Sequence, residues 1–382
     1  MEAWNRVVME LEIESKETGK INKTSILPQT AYWSQVKRKQ GIGSKAFNIR
    51  VRASDIYLNS SRNRVITDDL LVLMQEVGDG YKIGYVPYGP ALEPSERNRG
   101  AFLEELSETM RPSLPRECFL LRYDLLWESP WTHEPCLYDD KGHWKGPPGK
   151  GTQEIRMNFD THYHKLRKAN TNILPSDTIF IDLKKDEKQL IREMRPKTRY
   201  NTRLAFRRGV TVRRGGAGDL ALWNDLYSET CRRNRIFFRD DGYFRDVLQT
   251  DAGDTRSPAE AELLIAELDG IPLAAMFLAF SGERATYLYG ASSGRRRNCM
   301  ATYALQWEAI CRSKERRCTT YDMFGVAPRP DPSHPMYGLY RFKRGFGGNL
   351  FHRMGCWDYP LDEEIFTRYV PAEITAQGYH VG

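Results

Sequence analysis

The fold of this chain is decided by one stretch, which reads ATYLYGASS (Ala285–Ser293), then YDMFGV (Tyr321–Val326), then YGLYRFKRGFGG (Tyr337–Gly348). The first motif predicts the end of a strand, and YDMF predicts a short buried strand after an intervening helix. None of the three motifs is a standard phosphate-binding loop, dinucleotide fingerprint or metal-binding box. The stretch therefore predicts an α/β domain whose chemistry rests on a few cations and aromatic rings.

Two similar runs of strands and helices are predicted along the 382 residues. The run that contains the deciding stretch begins with a strand over 178–183 and includes a three-strand meander over 262–289, with turns predicted at Asp269-Gly270 and Ser281-Gly282. The N-terminal run has helices predicted over 31–39, with Thr30 as N-cap, and over 94–110. Two α/β units with mixed sheets fit this order better than one doubly wound sheet, and the pattern alone leaves the strand order open.

Composition gives no indication of a membrane span, a leader or a metal site. The longest apolar run, 271–280, is half the length that a bilayer requires, and the N-terminal residues lack the apolar core of a signal peptide. The seven cysteines form no C-x-x-C pair, and His162-x-His164 has no companion pair. We expect a cytoplasmic protein, with peripheral contact with the inner face of the membrane left open, and no metal or cofactor.

Positive charge is concentrated in one segment. Between Lys184 and Arg214 there are twelve Lys or Arg and three Asp or Glu, whereas the whole chain carries a net charge of +7. The remainder of the chain is therefore slightly acidic, and the segment is typical of a surface for a polyanion. Within it, Arg199, Arg203 and Arg207 are spaced to form one helical stripe. Their like charges repel one another and destabilise an isolated helix, whereas the same charges would bind phosphates favourably. A solvated surface helix is the alternative interpretation.

Lys343 is the candidate for direct chemistry. It follows Phe342 and precedes Arg344 and a glycine-rich turn. A lysine held beside a cleft stabilises a developing oxyanion or a phosphate with little reorganisation. A cationic helix end capped by Gly345 explains the same pattern, and spacing leaves both interpretations open.

Aromatic residues next to cations form a further set of candidates. The clusters are Trp33 with Lys37, Arg239 with Tyr243, Tyr287 with Tyr289, and Tyr88 within Tyr85–Pro90. Helical spacing places Trp33 beside Lys37, an arrangement that suits a phosphate group. Packing within a core is the alternative explanation for each cluster.

Several motifs in this order resemble the Fem family, the tRNA-dependent aminoacyltransferases that add cross-bridge amino acids to peptidoglycan precursors. The resemblance covers most of the chain. Beyond the deciding stretch, it rests on LPQTAYWSQVKRKQG (Leu27–Gly41), VPYGP (Val86–Pro90), KTRYNTRLAFRRGV (Lys197–Val210) and QWEAI (Gln306–Ile310).

The resemblance implies two acetyltransferase-like (GNAT-like) domains with mixed sheets, an α+β arrangement in which the C-terminal tail completes the first domain. We place a precursor-binding domain 1 at 1–175 plus 355–382, and a catalytic, aminoacyl-tRNA-binding domain 2 at 176–354. The interval between Val212 and Leu263 is too short for the helical hairpin of some members, so no coiled-coil arm is expected. The chain thus resembles the shorter, FemX-like members, whose substrates include nucleotide-linked muropeptides.

Carried over residue by residue, the resemblance implies catalysis by Lys343 with Phe342. It implies that the diphosphate of a muropeptide precursor is held by Lys37, Arg239 and Tyr243. Tyr289 and Asp124 match positions that line the peptide cleft, and we add Trp33 and Tyr88 as substrate-binding residues. The basic segment with Arg199, Arg203 and Arg207 is assigned to tRNA.

The predicted function is transfer of an amino acid from aminoacyl-tRNA to the side-chain amine of a diamino acid in a peptidoglycan stem peptide. The acceptor would be a UDP-linked or lipid-linked muropeptide, and we expect a monomer. Two alternatives stay open: an acyl-CoA N-acyltransferase of the same fold, disfavoured because the R/Q-x-x-G-x-G/A loop is missing, and a non-catalytic RNA-binding protein.

Overall fold

The computed structural model of the chain describes residues 9–58, 60, 64–234 and 241–376. It divides into two compact units. Unit 1 contains the chain up to Asn22, Gly41–Ser176 and the chain from His352 onward, whereas unit 2 contains Lys23–Gln40 and Asp177–Phe351. Residues 23–40, which we placed in domain 1, lie in unit 2.

The strands within the described residues have the following bounds: β1 Leu11–Lys16, β2 Gly43–Arg52, β3 Val65–Glu76, β4 Lys82–Pro87, β5 Cys118–Glu128, β6 Arg167–Lys168, β7 Asp177–Asp182, β8 Thr211–Gly215, β9 Ala259–Leu268, β10 Ile271–Ser281, β11 Arg284–Ser292, β12 Thr320–Asp322 and β13 Asn349–Pro360. The α-helices are α1 Ala31–Lys39, α2 Ala53–Ile56, α3 Arg99–Met110, α4 Lys150–Met157, α5 Glu187–Glu193, α6 Pro196–Arg207, α7 Leu220–Asn234, α8 Asp241–Gln249, α9 Ala301–Glu315, α10 Tyr337–Arg344 and α11 Glu363–Ala376.

Unit 1 is built on a mixed sheet in the order β1-β2-β3-β4-β5-β13, with β4 and β5 parallel and β6 beside β13. Strand β5 is almost entirely buried because helices cover both of its faces. Helix α3 packs on the face that carries Tyr123. On the other face, Arg122 binds Asp358 of β13 at 2.7 Å and Glu373 of α11 at 2.5 Å, which satisfies a guanidinium that is 2% exposed.

Unit 2 has its own mixed sheet in the order β7-β12-β11-β10-β9-β8, in which β11 and β12 run parallel. The hairpin between β9 and β10 turns at Asp269-Gly270, and both residues have positive φ angles, as a tight two-residue turn requires. Helices α6 and α9 contribute to the core on one face. Side chains of α7 and α8 pack against Phe277 of β10 on the other face.

Helix α1 belongs to unit 2 because of its own contacts. The predicted N-cap is confirmed: the Thr30 hydroxyl accepts a hydrogen bond from the Trp33 amide at 3.1 Å. The Ala31 amide donates to the Ser257 hydroxyl at 2.8 Å, and the Tyr32 hydroxyl donates to the Val247 carbonyl. Tyr32 is fully buried, so the segment 23–40 that contains α1 is an integral part of unit 2.

The predicted fold class is confirmed: the described chain is a mixed α/β protein in which each unit has a mixed sheet. Between Val212 and Leu263, the described residues form α7 and α8 of 15 and 9 residues, which is shorter than a coiled-coil arm. Helix α3 begins at Arg99 rather than at Pro94, because residues Glu96–Asn98 form a 3₁₀ turn instead. Within the described residues, no helix combines the length and the apolar character needed to cross a membrane.

Candidate active site

The candidate active site lies where two parallel strands of unit 2 separate. Strands β11 and β12 pair over three residues only, from Arg284 opposite Thr320 to Thr286 opposite Asp322. After Asp322, the chain follows β7 instead, and the Met323 amide donates to the Ile179 carbonyl at 3.0 Å. Strand β11 continues to Ser292, so within the described residues its second half has no strand partner on this side. The sheet is therefore open at this point.

The side chain of Lys343 fills the position beside this opening. It projects from α10 and is 4% exposed. Its ammonium group donates to the carbonyl of Gly325 at 2.8 Å and to that of Phe324 at 3.3 Å. The same nitrogen lies 4.9 Å from the centre of the Tyr287 ring. Lysine has three N–H donors, so two carbonyls leave one donor for a ligand.

Burial changes the acidity of this lysine. Loss of solvation lowers the pKa of Lys343 to about 7, although the negative charge of Asp322 acts in the opposite direction. Asp322 is itself held in place, because it accepts hydrogen bonds from the Thr178 hydroxyl at 2.5 Å and from the Phe324 amide at 2.8 Å. Lys343 therefore changes its protonation state near neutral pH. Any negative charge that develops beside it favours the protonated, ammonium form.

The glycine-rich turn after Lys343 holds α10 in place. The amide of Arg195, the N-cap of α6, donates to the Gly345 carbonyl at 2.8 Å. A Cβ atom on Gly345 would lie 2.1 Å from the Thr198 hydroxyl, so only glycine permits this approach. Phe342 packs against Tyr303 and Phe346 with ring centres 5.1 and 5.3 Å apart. Phe342 thus anchors the helix that carries Lys343.

A β-bulge separates Tyr287 from Tyr289. The register between β10 and β11 shifts between Phe277 and Leu278, which pair with Tyr289 and Tyr287 respectively. Tyr287 packs with the core that contains Leu278, whereas Tyr289 packs against Phe277 and Phe244. The predicted Tyr287–Tyr289 cluster is wrong, because the extra residue places the two rings on opposite faces of the sheet.

Tyr289 instead joins a second group of candidate residues. Its hydroxyl shares a hydrogen bond of 2.5 Å with that of Tyr243 on α8. The ammonium group of Lys37 lies 5.3 Å from the Tyr243 ring centre and 5.1 Å from that of Trp33. The structure therefore brings Trp33, Lys37, Tyr243 and Tyr289 together, although they are spread over more than 250 residues of sequence.

Gln40 is a member of this group that the sequence did not indicate. Its Oε1 atom accepts a hydrogen bond from Lys37 at 3.0 Å, and its buried Nε2 atom has no partner among the described residues. An unsatisfied amide donor beside a lysine suits an oxygen-rich ligand such as a diphosphate. Arg239, which we predicted for the same ligand, lies outside the described residues.

Asp124 and Tyr88 are interior residues of unit 1. Asp124 has no exposed surface, and one of its oxygens accepts hydrogen bonds from the Tyr85 hydroxyl at 3.0 Å and the Leu174 amide at 2.8 Å. Burial raises the pKa of this carboxyl. Tyr88 is 5% exposed and donates to the Pro175 carbonyl at 2.6 Å. Because Asp124 is enclosed, it does not line an open peptide cleft in this conformation.

The predicted stripe on α6 divides into two parts. Arg203 and Arg207 are exposed, whereas Arg199 is half-buried and donates to the carbonyls of Arg192 and Met194 at 3.2 and 3.1 Å. Arg199 therefore fixes the turn before α6. Sequence spacing alone does not show whether an arginine of the stripe is exposed or is hydrogen-bonded to the main chain.

The sequence analysis grouped Tyr287 with Tyr289 rather than with Lys343, and it did not include the two carbonyls around Lys343. The sequence motifs did contain these residues, because Phe324 and Gly325 lie within YDMFGV and Tyr287 lies within YLYG. All three motifs of the deciding stretch thus converge on one ammonium group.

Comparison with known proteins identifies the family of the chain. The sequence model of the FemAB family matches residues 18–269 and 250–370. A lipid II:glycine glycyltransferase of Staphylococcus epidermidis is 25% identical over 251 residues, which are 51% of this chain and 60% of that protein. One of Staphylococcus aureus is 24% identical over 287 residues, or 57% of this chain and 67% of that protein.

A solved structure of FemX superposes with a TM-score of 0.70 at 19% identity, over 94% of this chain and 99% of that one. At this identity the superposition shows a common fold. The predicted resemblance is confirmed, since the family match extends over most of the sequence, and we conclude that the chain belongs to the FemAB family.

Proposed function

We propose that this protein transfers an amino acid from aminoacyl-tRNA to the side-chain amine of the diamino acid in a peptidoglycan precursor. The observation that carries the proposal is the buried ammonium group of Lys343 at the opening of the sheet. The ester of an aminoacyl-tRNA is already activated, so its aminolysis needs orientation and stabilisation of an oxyanion rather than a nucleophilic side chain.

In the proposed reaction, the acceptor amine attacks the ester carbonyl, and a tetrahedral intermediate forms with negative charge on the former carbonyl oxygen. The third N–H donor of Lys343 binds this oxygen. The bond from carbon to the ribose oxygen then breaks, and the ribose leaves as a hydroxyl that has taken up the proton lost by the amine. A carboxylate of the substrate transfers this proton, because the described site offers no exposed carboxylate beside Lys343.

The acceptor is assigned to the group around Lys37. An ammonium group, an amide donor from Gln40 and two tyrosine hydroxyls suit the diphosphate and peptide of a muropeptide. Nucleotide-linked and lipid-linked muropeptides share this diphosphate. The relatives from Staphylococcus are named for lipid II, which supports a lipid-linked acceptor, and the FemX-like fold leads us to test a nucleotide-linked one as well.

Purified protein with labelled aminoacyl-tRNA and either muropeptide tests the proposal. We expect label to move to the peptide amine and ribonuclease treatment of the donor to abolish transfer. Mass spectrometry of the product identifies the amino acid and the acceptor. Transfer from an acyl-CoA, or undiminished transfer from free amino acid and ATP after ribonuclease treatment, would contradict the proposal.

A further inference from the structure

One residue beside Lys343 has a main-chain conformation that its own side chain disfavours. Phe324 has a φ angle of 58°, in the left-handed region where the Cβ atom crowds the following carbonyl. A bulky residue rarely adopts this conformation unless its surroundings impose it. With Phe324 held in this way, its carbonyl and that of Gly325 both accept hydrogen bonds from the ammonium group of Lys343.

Asp322, two residues earlier, stabilises this conformation of Phe324. Its Oδ1 atom accepts a hydrogen bond from the Phe324 amide at 2.8 Å, which is the turn that an aspartate side chain forms with the amide two residues later. The same oxygen accepts a hydrogen bond from the hydroxyl of Thr178 on β7. Asp322 is 3% exposed and Thr178 has no exposed surface, so the carboxylate has a fixed orientation.

The segment around Phe324 is fixed to β7 at two points. The Met323 amide donates to the Ile179 carbonyl at 3.0 Å, and the Val326 amide donates to the Asp177 carbonyl at 3.1 Å. Phe324 and Gly325 lie between these points. The turn at Asp322 therefore sets the direction of the two carbonyls that bind Lys343.

The carboxylate of Asp322 also acts on Lys343 through its charge. Loss of solvation lowers the pKa of Lys343 to about 7, and the negative charge of Asp322 opposes this effect. Tyr287 faces the ammonium group from β11 and is neutral, because burial raises its pKa to about 12. The other titratable side chains on α9 and α10 near this lysine are tyrosines and arginines, namely Tyr303, Tyr340, Arg341 and Arg344. Within the described residues, Asp322 is thus the carboxylate whose charge acts on Lys343.

We propose that Asp322 is a positioning residue for Lys343, because it directs two carbonyls onto the ammonium group through Phe324 and favours the charged form of the lysine. Asp322 is enclosed, so it acts through Lys343 and does not touch the substrate. With two N–H donors of Lys343 bound in fixed directions, the third donor also has a defined direction. This inference rests on the proposed function, because stabilisation of an oxyanion requires a lysine that is charged and oriented.

The dependence of kcat on pH in Asp322→Asn tests the proposal. Asparagine keeps an oxygen that can accept from the Phe324 amide, so the variant removes the charge and retains the turn. Without this charge Lys343 loses its proton more readily, and the alkaline limb of the kcat profile should move to lower pH by about one unit. The ratio of variant to wild-type kcat should then be about 0.1 at pH 8 and rise toward 1 below about pH 6. The KM values for both substrates should stay constant, and a ratio that does not change with pH would overturn the proposal.

The role of Thr178 is tested separately, because Thr178→Val keeps the charge of Asp322 and removes one hydrogen bond that orients it. We expect kcat to fall by about three- to tenfold at unchanged KM. Wild-type kcat in this variant would contradict the orientation of the carboxylate by β7. The matched control is Asp182→Asn: Asp182 is exposed and makes the same kind of turn, accepting from the Lys184 amide at 3.0 Å. This control should leave the pH profile unchanged.

NMR of protein with ¹³C-labelled lysine follows the titration of Lys343 without any reaction, and Lys343→Met identifies its signal. The midpoint should move to lower pH in Asp322→Asn and stay constant in Asp182→Asn. If wild-type protein transfers an amino acid from aminoacyl-tRNA, and the midpoint and the kcat profile of Asp322→Asn equal those of wild type, this inference fails while the proposed function stands. If the midpoint moves as expected and no transfer occurs with any tRNA, the proposed function fails while the action of Asp322 on Lys343 is supported.

Discussion

The ammonium group of Lys343 lies 4.9 Å from the centre of the Tyr287 ring, and the two residues come from different motifs of the sequence. The ring closes one side of the lysine, and the carbonyls of Phe324 and Gly325 bind it from the chain that leaves the sheet. A cation held in this way is oriented before any substrate arrives, so it loses little energy to reorganisation when an oxyanion forms.

Replacement of Lys343 by methionine should therefore act mainly on the transition state. The methionine keeps most of the stem and removes the charge, so we expect kcat to fall by about 10²–10³, the loss typical of one oxyanion donor. The KM for the muropeptide should change little. Steady-state kinetics on folded protein measure both constants, and near-normal turnover would leave the motif with a structural role only.

Lys37→Met should give the opposite kinetic pattern. Lys37 lies with Trp33, Gln40 and Tyr243 in the group assigned to the precursor diphosphate. Loss of its charge should raise the KM for the muropeptide by roughly tenfold or more, with a smaller change in kcat. The KM for aminoacyl-tRNA serves as the control and should stay constant. A large fall in kcat at unchanged KM would contradict the assignment of Lys37 to the precursor diphosphate.

The pKa of Lys343 predicts how stability depends on pH. Burial lowers this pKa to about 7, whereas an unfolded lysine titrates near 10.4. Between these values the unfolded chain binds more protons than the folded chain, so this group makes the protein more stable as pH rises. Relative to Lys343→Met, wild type should gain stability from about pH 7 to about pH 10. Urea unfolding of both proteins across this range measures the difference, and a constant difference would contradict the lowered pKa.

Asp124 offers a test that separates an interior role from a role in the cleft. Asp124→Ala leaves the Tyr85 hydroxyl and the Leu174 amide without their acceptor, which should cost about 2–5 kcal/mol of unfolding free energy. Asp124→Asn, which retains one acceptor oxygen, should cost less. An alanine variant of wild-type stability with a raised KM for the peptide would instead assign Asp124 to the substrate.

The arginines of α6 should likewise differ in whether their replacement affects tRNA binding or stability. Arg203→Gln with Arg207→Gln should lower the salt slope of tRNA binding by roughly 1.4–1.8, at 0.7–0.9 per phosphate, without loss of stability. Arg199→Gln should do the reverse, because its guanidinium binds two carbonyls of the preceding turn. We expect a loss of about 1–3 kcal/mol in unfolding free energy and little change in slope. Equal changes in salt slope for all three arginines would instead support the original prediction that they form a single tRNA-binding stripe.

Sequence patterns predicted those parts of the molecule that depend on local chemistry. The Thr30 cap of α1, the Asp269-Gly270 turn and the alternation of strands and helices follow from short-range preferences, and all are present. The patterns could not predict that the register slips beside Phe277, because a bulge depends on how two strands meet. For the same reason, spacing grouped Tyr287 with Tyr289, which the structure separates. The enclosure of Asp124 depends on packing from three chain segments, which the sequence of β5 does not reveal.

The membership of α1 in unit 2 has a consequence for biosynthesis. Tyr32 and its acceptor Val247 are 215 residues apart, so the ribosome makes α1 long before the surface that receives it. At 5–20 residues per second, α1 remains without this partner for roughly 10–40 s. During that interval the apolar side of α1 is open to chaperones. The group around Lys37 is therefore assembled late in synthesis, although Lys37 itself is made about 200 residues before Tyr243.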